Sequence, residues 1–408
     1  MSNAEALLLE ESGRCINCGF CEAVCPTFPS SGYNASMGAR GRVQLGKDML
    51  SRLAKSESVS TLSGPFYSCL DCYACVQVCP AGVNAGKVSH LAREILVERS
   101  QGVPPLAALM EKSIMRYGSV LPLGRRASAW AEGLGIPRSG STLLYTGQMY
   151  QLMSYSSALT GFLQRRGRIM QRLFVGGSLR MPWMMKLAVM LNDRELEKTM
   201  SGYLRNIASL LTRAGVEFGY MHEDEPYPGT LMFDLGFTSS ARKHAQYVEE
   251  KFRRAGARRI ITLDPHTHDL LANAYPALLG SFDFEVVHYT ELLGGLGFRR
   301  SERKVTFHEP CHLSRRFDNM STPLDLLSST AEVRLPDNSG KRTHCCGGPD
   351  ELLYPSISRN VSSSRNSQLA AAGGERTVTA CPVCTLNLGY RGTTDLSQLL
   401  LESIDEAD

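Results

Sequence analysis

Thirteen cysteines are the residues of this chain whose type and spacing can do chemistry, and they fall into three groups with none left over. Eight form two copies of one run: Cys15, Cys18, Cys21 and Cys25 before Pro26, and Cys69, Cys72, Cys75 and Cys79 before Pro80. Both copies read C-x2-C-x2-C-x3-C-P, the run whose thiolates hold a pair of four-iron, four-sulfur (4Fe–4S) clusters. The fourth cysteine of each run normally ligates the other run's cluster. The expected sets are therefore Cys15, Cys18, Cys21 with Cys79, and Cys69, Cys72, Cys75 with Cys25. The remaining five are Cys311, the doublet Cys345–Cys346, and the pair Cys381 and Cys384.

Other uses of so many cysteines fit less well. Disulfide frameworks belong to short secreted chains, whereas this one has 408 residues and opens MSNAEALLLEESGR, acidic where a signal peptide needs a basic segment. Structural zinc prefers paired C-x2-C knuckles or mixed Cys/His sets. Composition is that of a globular protein, 43% hydrophobic and 21% charged, and a net charge of +4 gives no argument for nucleic acid. No apolar run approaches the roughly 18 residues of a membrane span. Thiolate ligands also require reducing surroundings, so the expected location is cytoplasmic, at most peripheral on the cytoplasmic face of a membrane.

The elements that position these cysteines follow from periodicity. Helical spacing appears in Gly41–Lys55, through Val43, Leu45, Met49, Leu50 and Leu53, and again in Ala85–Arg99, through Val88, Leu91, Ile95 and Leu96. Residues 1–100 are thus expected to form a helical two-cluster ferredoxin domain. Prolines and glycines mark 101–141 as a connector with a short helix or two. From Thr142 short apolar strands alternate with helices, the pattern of α/β layering.

Within that region lies an internal repeat. Leu143–Gln148 corresponds to Thr306–Cys311, Glu225–Gly229 to Thr343–Gly347, and Ile261–Thr267 to Val378–Cys384. The five cysteine positions are Gln148, Tyr227, Pro228, Asp264 and Thr267 in the first copy, so only the second should hold a cluster. That gives a degenerate copy at 142–300, with an insertion at about 158–200, and an intact copy at 301–408. Asp264, His266 and His268 have the donor atoms of a metal triplet, but the reading taken is a solvated strand-end loop. Strand ends should bring the five second-copy cysteines together, with helix N-termini near Cys311 and Cys384 favouring negative charge. His308, His312 and His344 flank them and suit either proton delivery and tuning or plain loop bonding. The insertion contains Gly161–Leu191, a segment rich in Arg and Met with one Trp. Three uses fit it: contact with an anionic membrane surface, docking of a partner, or a helical hairpin packed on its own domain.

Two ferredoxin motifs followed by C-x(30–40)-CCG-x(30–40)-C-P-x-C repeats resemble the CCG-domain (cysteine-rich domain) iron–sulfur oxidoreductases. These include the iron–sulfur subunits of glycolate oxidase and anaerobic glycerol-3-phosphate dehydrogenase, the cysteine-rich subunits of heterodisulfide reductase, and archaeal-type succinate dehydrogenases. Gly38-Ala39-Arg40-Gly41-Arg42 looks like the G-x-R-G-R element of the glycolate oxidase type. The fold implied is α+β and multidomain, a helical ferredoxin module followed by tandem α/β CCG domains. The resemblance also implies a third cluster at Cys311, Cys345, Cys346, Cys381 and Cys384, either a 4Fe–4S cubane with one spare cysteine or a non-cubane form using all five. The activity implied is electron transfer from a flavin-dependent dehydrogenase of the 2-hydroxy acid or glycerol-3-phosphate type to a quinone or thiol acceptor, the flavin lying on a partner chain. Two alternatives stand beside it: a heterodisulfide or thiol–disulfide reductase acting at the five-cysteine site, and a component of a succinate dehydrogenase-type complex with a membrane anchor. No Gly-x-Gly-x-x-Gly fingerprint lies between a strand and a helix, so no dinucleotide is expected on this chain.

Overall fold

Strand order divides the sheet structure in two. β1 (Thr142–Tyr145), β2 (Arg259–Thr262) and β3 (Glu285–His288) form a parallel sheet in the order β1-β2-β3, and Leu143 makes a further parallel bridge to Gly219 on the open side of β1. β4 (Lys304–His308), β5 (Glu332–Arg334), β6 (Arg376–Thr379) and β7 (Thr393–Asp395) form a second parallel sheet in the order β5-β4-β6-β7. Parallel pairing requires crossovers, and here they are helices, so the inner strand residues are buried on both faces. Leu143, Leu144, Ile260, Ile261 and Val378 are all fully buried. The computed structural model describes residues 1–317 and 321–404, with backbone alone at 164, 166–172 and 182.

Ahead of the sheets the chain is helical. Asn3–Gly13 opens with a capping box in which Ser2 and Glu5 satisfy each other's backbone N–H groups, and it packs on Ala39–Ala54 and Ala85–Glu98. The two latter helices lie where the apolar periodicity placed them, with Val43, Met49, Val88, Leu91, Ile95 and Leu96 facing the shared core. The 101–141 stretch is more than a connector. Its helix Pro105–Tyr117 buries Ala107, Leu109, Met110 and Ile114, and Trp130 donates to the Tyr220 hydroxyl at 3.2 Å inside the core.

The stretch expected to hold an insertion lies in a helical hairpin. Met149–Arg180 runs 32 residues and packs on Arg194–Arg213, whose apolar stripe of Leu196, Met200, Leu204, Ile207 and Leu211 is buried. Between them Met181, Trp183, Leu187 and Met190 are exposed. The basic core of the Gly161–Leu191 segment, at 166–172, lies outside the residues whose side chains are described.

Buried arginines join the helical module to the sheets. Arg93, 2% exposed, donates to Phe66 O at 2.9 Å, Cys69 O at 2.6 Å, the Asp71 carboxylate at 2.5 Å and Asp234 O at 2.6 Å. Gly236 sits directly on it: a Cβ there would come within 2.5 Å of the Arg93 backbone. A planar five-donor group satisfies several carbonyls at a desolvated seam as no lysine can. Arg93→Met should therefore destabilise the protein by about 3–5 kcal/mol, because it strands Asp71 and three carbonyls. Thermal unfolding combined with limited proteolysis checks this; a Tm within a degree of wild type would contradict it.

Candidate metal centres

In both ferredoxin runs the chain bends in the same way around the second cysteine. Asn17 and Gly19 have positive φ of 61° and 86°, and Asp71 and Tyr73, at the same offsets, have 46° and 56°. Left-handed residues at alternate positions turn successive N–H groups toward one concave side, the arrangement that cradles anions and iron–sulfur cores. Tyr73 adopts without glycine's freedom what Gly19 adopts with it, and it is held by Arg316, whose guanidinium lies 4.7 Å from the ring centre.

The cysteines line two small cavities. One is walled by Cys15, Cys18, Cys21 and Cys79 with Ile16, Val43 and Val83, and the other by Cys25, Cys69, Cys72 and Cys75 with Leu70 and Ala85. Each cavity draws three thiols from one run and one from the other. Backbone N–H groups already point at sulfur, from Val83 to Cys79 at 3.2 Å and from Asn17 to Cys15 at 3.4 Å. Burial pushes the Cys21 thiol up to about 11 and that of Cys69 to about 12, and raises Cys75 as well. Thiols so desolvated favour a positively charged partner such as a metal, and four cysteines around each cavity fit a 4Fe–4S cluster.

The Gly38–Arg42 element has a clear mechanical role. A Cβ on Gly41 would lie 1.7 Å from Ala35 O, so only glycine allows the helix to approach that turn. Arg42, 1% exposed, reaches Pro65 O at 2.6 Å, Ser68 O at 3.1 Å and Cys25 Sγ at 3.7 Å, tying the first run to the loop that leads into the second. Arg40 pairs with Glu22 at 3.0 Å beside the first cavity.

The last five cysteines meet in one place. Cys311 begins the helix Cys311–Arg316, Cys381 is the N-cap of Pro382–Asn387, Cys384 stands in that helix's first turn, and Cys345–Cys346 precede Gly347 at φ 86°. All five are buried. Cys346 and Cys384 place their sulfurs 3.3 Å apart, Cys381 touches Cys384, and Cys345 touches both Cys311 and Cys346. Gly347 and Gly348 each direct an N–H to sulfur at 3.4 Å. Among the described residues, a ring nitrogen of His308 and the sulfurs of Cys346 and Cys384 lie within 4.8 Å of one another.

Of the flanking histidines, His308 is the informative one. Arg365 Nε donates to its Nδ1 at 3.0 Å, and since an arginine nitrogen can only donate, Nδ1 accepts and the proton sits on Nε2. Burial together with the Arg365 charge keeps the ring neutral, its pKa below the ordinary value, with Cys346 beside it. His312, four residues further on, is held differently. Burial opposes its charge, yet Asp269, 2.7 Å from Nδ1, raises it to about 9, while Arg316 braces the same carboxylate at 3.1 Å. His344 Nδ1 accepts from Gln368 Nε2 at 3.0 Å, a loop contact.

Two contacts had no sequence signature of their own. Cys72, in the second cavity's wall, touches Cys345 of the doublet, so the second and third sites share a wall. Arg315 seals that wall by donating to Cys72 O at 2.6 Å, Lys341 O at 2.9 Å and Thr343 O. Arg365 was legible in principle: it continues the row of Ile357 and Val361 on one face of Pro355–Ala371, and a cation on an apolar face needs a buried partner.

The positions expected from the sequence to match those cysteines, Gln148, Tyr227, Pro228, Asp264 and Thr267, are packed within protein. Gln148 donates to Glu225 O at 2.7 Å, Tyr227 bonds Thr230, and Asp264 caps Pro265–Asp269 through His266 N and Thr267 N, both at 3.0 Å. The expectation of a solvated loop at Asp264–His268 is wrong. Asp264 and Thr267 are fully buried and His268 is 3% exposed, because the sheet edge is covered by the second α/β unit. His268 Nδ1 meets Thr262 Oγ1 at 2.8 Å and His266 stacks on His312 with ring centres 4.2 Å apart, so the triplet is spread over separate tasks.

Comparison with known proteins agrees with this anatomy. Residues 11–83 match the 4Fe-4S dicluster domain and residues 305–389 the cysteine-rich domain termed CCG. The chain is thus an iron–sulfur protein that couples a dicluster module to a CCG domain. The same two domains are those of the CCG-domain iron–sulfur oxidoreductases that the chain resembles. Similar proteins include a component of the dihydromethanophenazine:CoB–CoM heterodisulfide reductase of Methanosarcina barkeri, 22% identical over 99% of this chain and 95% of that one. The "Probable glycolate oxidase iron-sulfur subunit" of Bacillus subtilis is 23% identical over 95% of this chain and 93% of its own length. The EtfAB:quinone oxidoreductase of Syntrophomonas wolfei is 22% identical over 91% of this chain, which spans 54% of that protein. No described helix is long and apolar enough to cross a membrane.

An N–H donated to sulfur stabilises a cluster's more negative, reduced form. His308→Ala should therefore lower the midpoint potential at the five-cysteine site by on the order of 50 mV with iron content unchanged, the loss of one charge-assisted hydrogen bond. A redox titration followed by EPR reads the shift. Unaltered potential in His308→Ala would place the ring outside the site's electrostatics.

Proposed function

We propose that this chain is a three-cluster electron relay, fed by a flavin-dependent dehydrogenase on a partner chain and discharging at the five-cysteine end. The observation that carries the reading is a gradient of burial along touching sites. Cys18 is exposed, Cys15 and Cys21 are half-buried, Cys72 and Cys75 are buried, and the last five are all enclosed. Exposed Ile16 and Phe20 flank Cys18 and offer an apolar face where a donor protein docks. The ligand sets proposed are Cys15, Cys18, Cys21 with Cys79; Cys69, Cys72, Cys75 with Cys25; and Cys311, Cys345, Cys346, Cys381 with Cys384. Bound there, iron–sulfur clusters supply one-electron steps. The chain itself contributes desolvation, N–H groups aimed at sulfur and the fixed His308 tautomer.

We also read residues 142–300 and 301–408 as tandem copies of one α/β unit. Support comes from the shared strand order, with the Leu143–Gly219 bridge in the place of β5, from Gly229 and Gly347 at φ 90° and 86°, and from the caps Asp264 and Cys381 ahead of Pro265 and Pro382. Loss of all five thiols from the first copy favours a relay over cleavage of a disulfide held between two clusters. The glycolate- and glycerol-3-phosphate-type donors follow from the resemblance.

Anaerobic purification with iron and acid-labile sulfide counted tests the relay. About twelve irons and a co-purifying flavoprotein are expected, from three four-iron sites. About eight irons, or a chain that no flavoprotein reduces, would overturn it. The exposed apolar side chains of the hairpin suit contact with a lipid surface or a partner. Replacing Trp183, Leu187 and Met190 together by serine should abolish co-sedimentation with anionic vesicles, and unchanged sedimentation would eliminate the membrane version.

A further inference from the structure

One feature the cysteines leave unexplained is a cavity of about 1080 Å³, mouth included, between the two α/β units and the helix Pro105–Tyr117. Its wall is mostly aliphatic and thioether, with Leu109, Met110, Leu152 and Met153 among its residues. At its inner end it reaches Gly348 and Val383. Gly348 N lies 3.4 Å from Cys346 Sγ, and Val383 stands between Cys381 and Cys384 in sequence, so the cavity and the five-cysteine site share a wall one residue thick. A Cβ on Gly348 would come within 2.3 Å of Val383 Cγ1, so glycine keeps that wall thin.

Three ionisable groups besides Tyr155 and Tyr227 break the apolar lining: Asp234, His266 and Glu351. Among the described residues neither lysine nor arginine lines it, so an anionic thiol, disulfide, phosphate or hydroxy acid would enter with no counter-charge. A lipophilic molecule with a small polar head fits. A second apolar cavity, lined by Leu163, Val175, Leu179 and Leu353, shares Leu106, Glu351 and Leu352 with the first and leads under the hairpin that exposes Trp183 and Met190. Head room beside a redox centre and a greasy channel behind it are what a prenylated ring requires.

We propose that this cavity binds and reduces a quinone-class carrier, its ring against Gly348 and its tail along the channel beneath the hairpin. The inference rests on the relay reading and names its acceptor. Two electrons arrive singly from the flavoprotein by way of the cysteine-bound clusters, two protons are added, and both ring C=O groups become C–OH. Burial raises the carboxyls of Glu351 and Asp234 to about 7, so each stands ready to give a proton and be recharged from solvent. Ser156 Oγ donates to Glu351 at 3.4 Å, and His266, neutral by burial, can hold a carbonyl oxygen.

The test uses the full-length holoprotein, anaerobic and with its iron counted, titrated calorimetrically with decylubiquinone. One equivalent should bind, and Met153→Trp and Leu231→Trp, which fill the cavity from opposite walls, should each weaken binding at least tenfold with iron content and Tm retained. Saturation should also perturb the EPR signal of the five-cysteine site in wild type and in neither variant. Equal affinity in both variants, or no binding by a twelve-iron protein that the flavoprotein reduces, would overturn the quinone site and leave the relay standing. Cavity-dependent binding to a protein that no flavoprotein reduces would support the site while removing the relay.

Discussion

The rest of the structure depends on the cost of burying a thiolate. A sulfur carrying a full charge inside protein must be matched by charge or hydrogen bonds, and here the buried arginines spend most of their donors on carbonyl oxygens. The thiols of Cys21, Cys69 and Cys75 are pushed up chiefly by desolvation. That makes the cysteine-lined cavities receptive to one kind of guest, a compact inorganic core of positive metal and sulfide. The same constraint explains the glycines and left-handed residues beside the cysteines, since backbone N–H groups are the neutral way to soften that cost.

Buried arginines perform a different task. Arg42, Arg93, Arg315 and Arg365 spend most of their donors on uncharged acceptors rather than carboxylates. A guanidinium can gather the ends of several loops at once, and cysteine sites built from loops far apart in sequence need such gathering. Arg93 and Arg315 hold the seam between the helical module and the α/β units. Arg42 holds the two ferredoxin runs together, and Arg365 fixes the His308 ring.

How much of this is readable from sequence depends on whether the signal is local. Cysteine spacing, the apolar stripes of Ala39–Ala54 and Ala85–Glu98, and the first strand at Thr142 are local and periodic, and the structure places elements there. The burial of Asp264 and His268 escapes such a reading because polar residues at a strand end look solvated until another unit covers them. The helix Pro105–Tyr117 is easily undervalued because proline-rich flanks suggest a linker, whereas Pro105 merely opens a helix that buries its apolar face in the core. The Cys72–Cys345 contact and the apolar cavity come from packing between units more than two hundred residues apart, which no window along the chain contains.

The shared wall between the second and third sites also bears on biogenesis. Arg315 bonds Cys72 O on one side and Thr343 O on the other, and Arg93 closes the same seam from Cys69 to Asp234. A cluster or its delivery protein cannot pass through contacts of that kind once made. Access to the inner cysteines of the helical module therefore requires that this seam be open. Repair of a damaged inner cluster would accordingly require opening the whole seam, whereas the outer site beside Cys18 stays within reach of solvent.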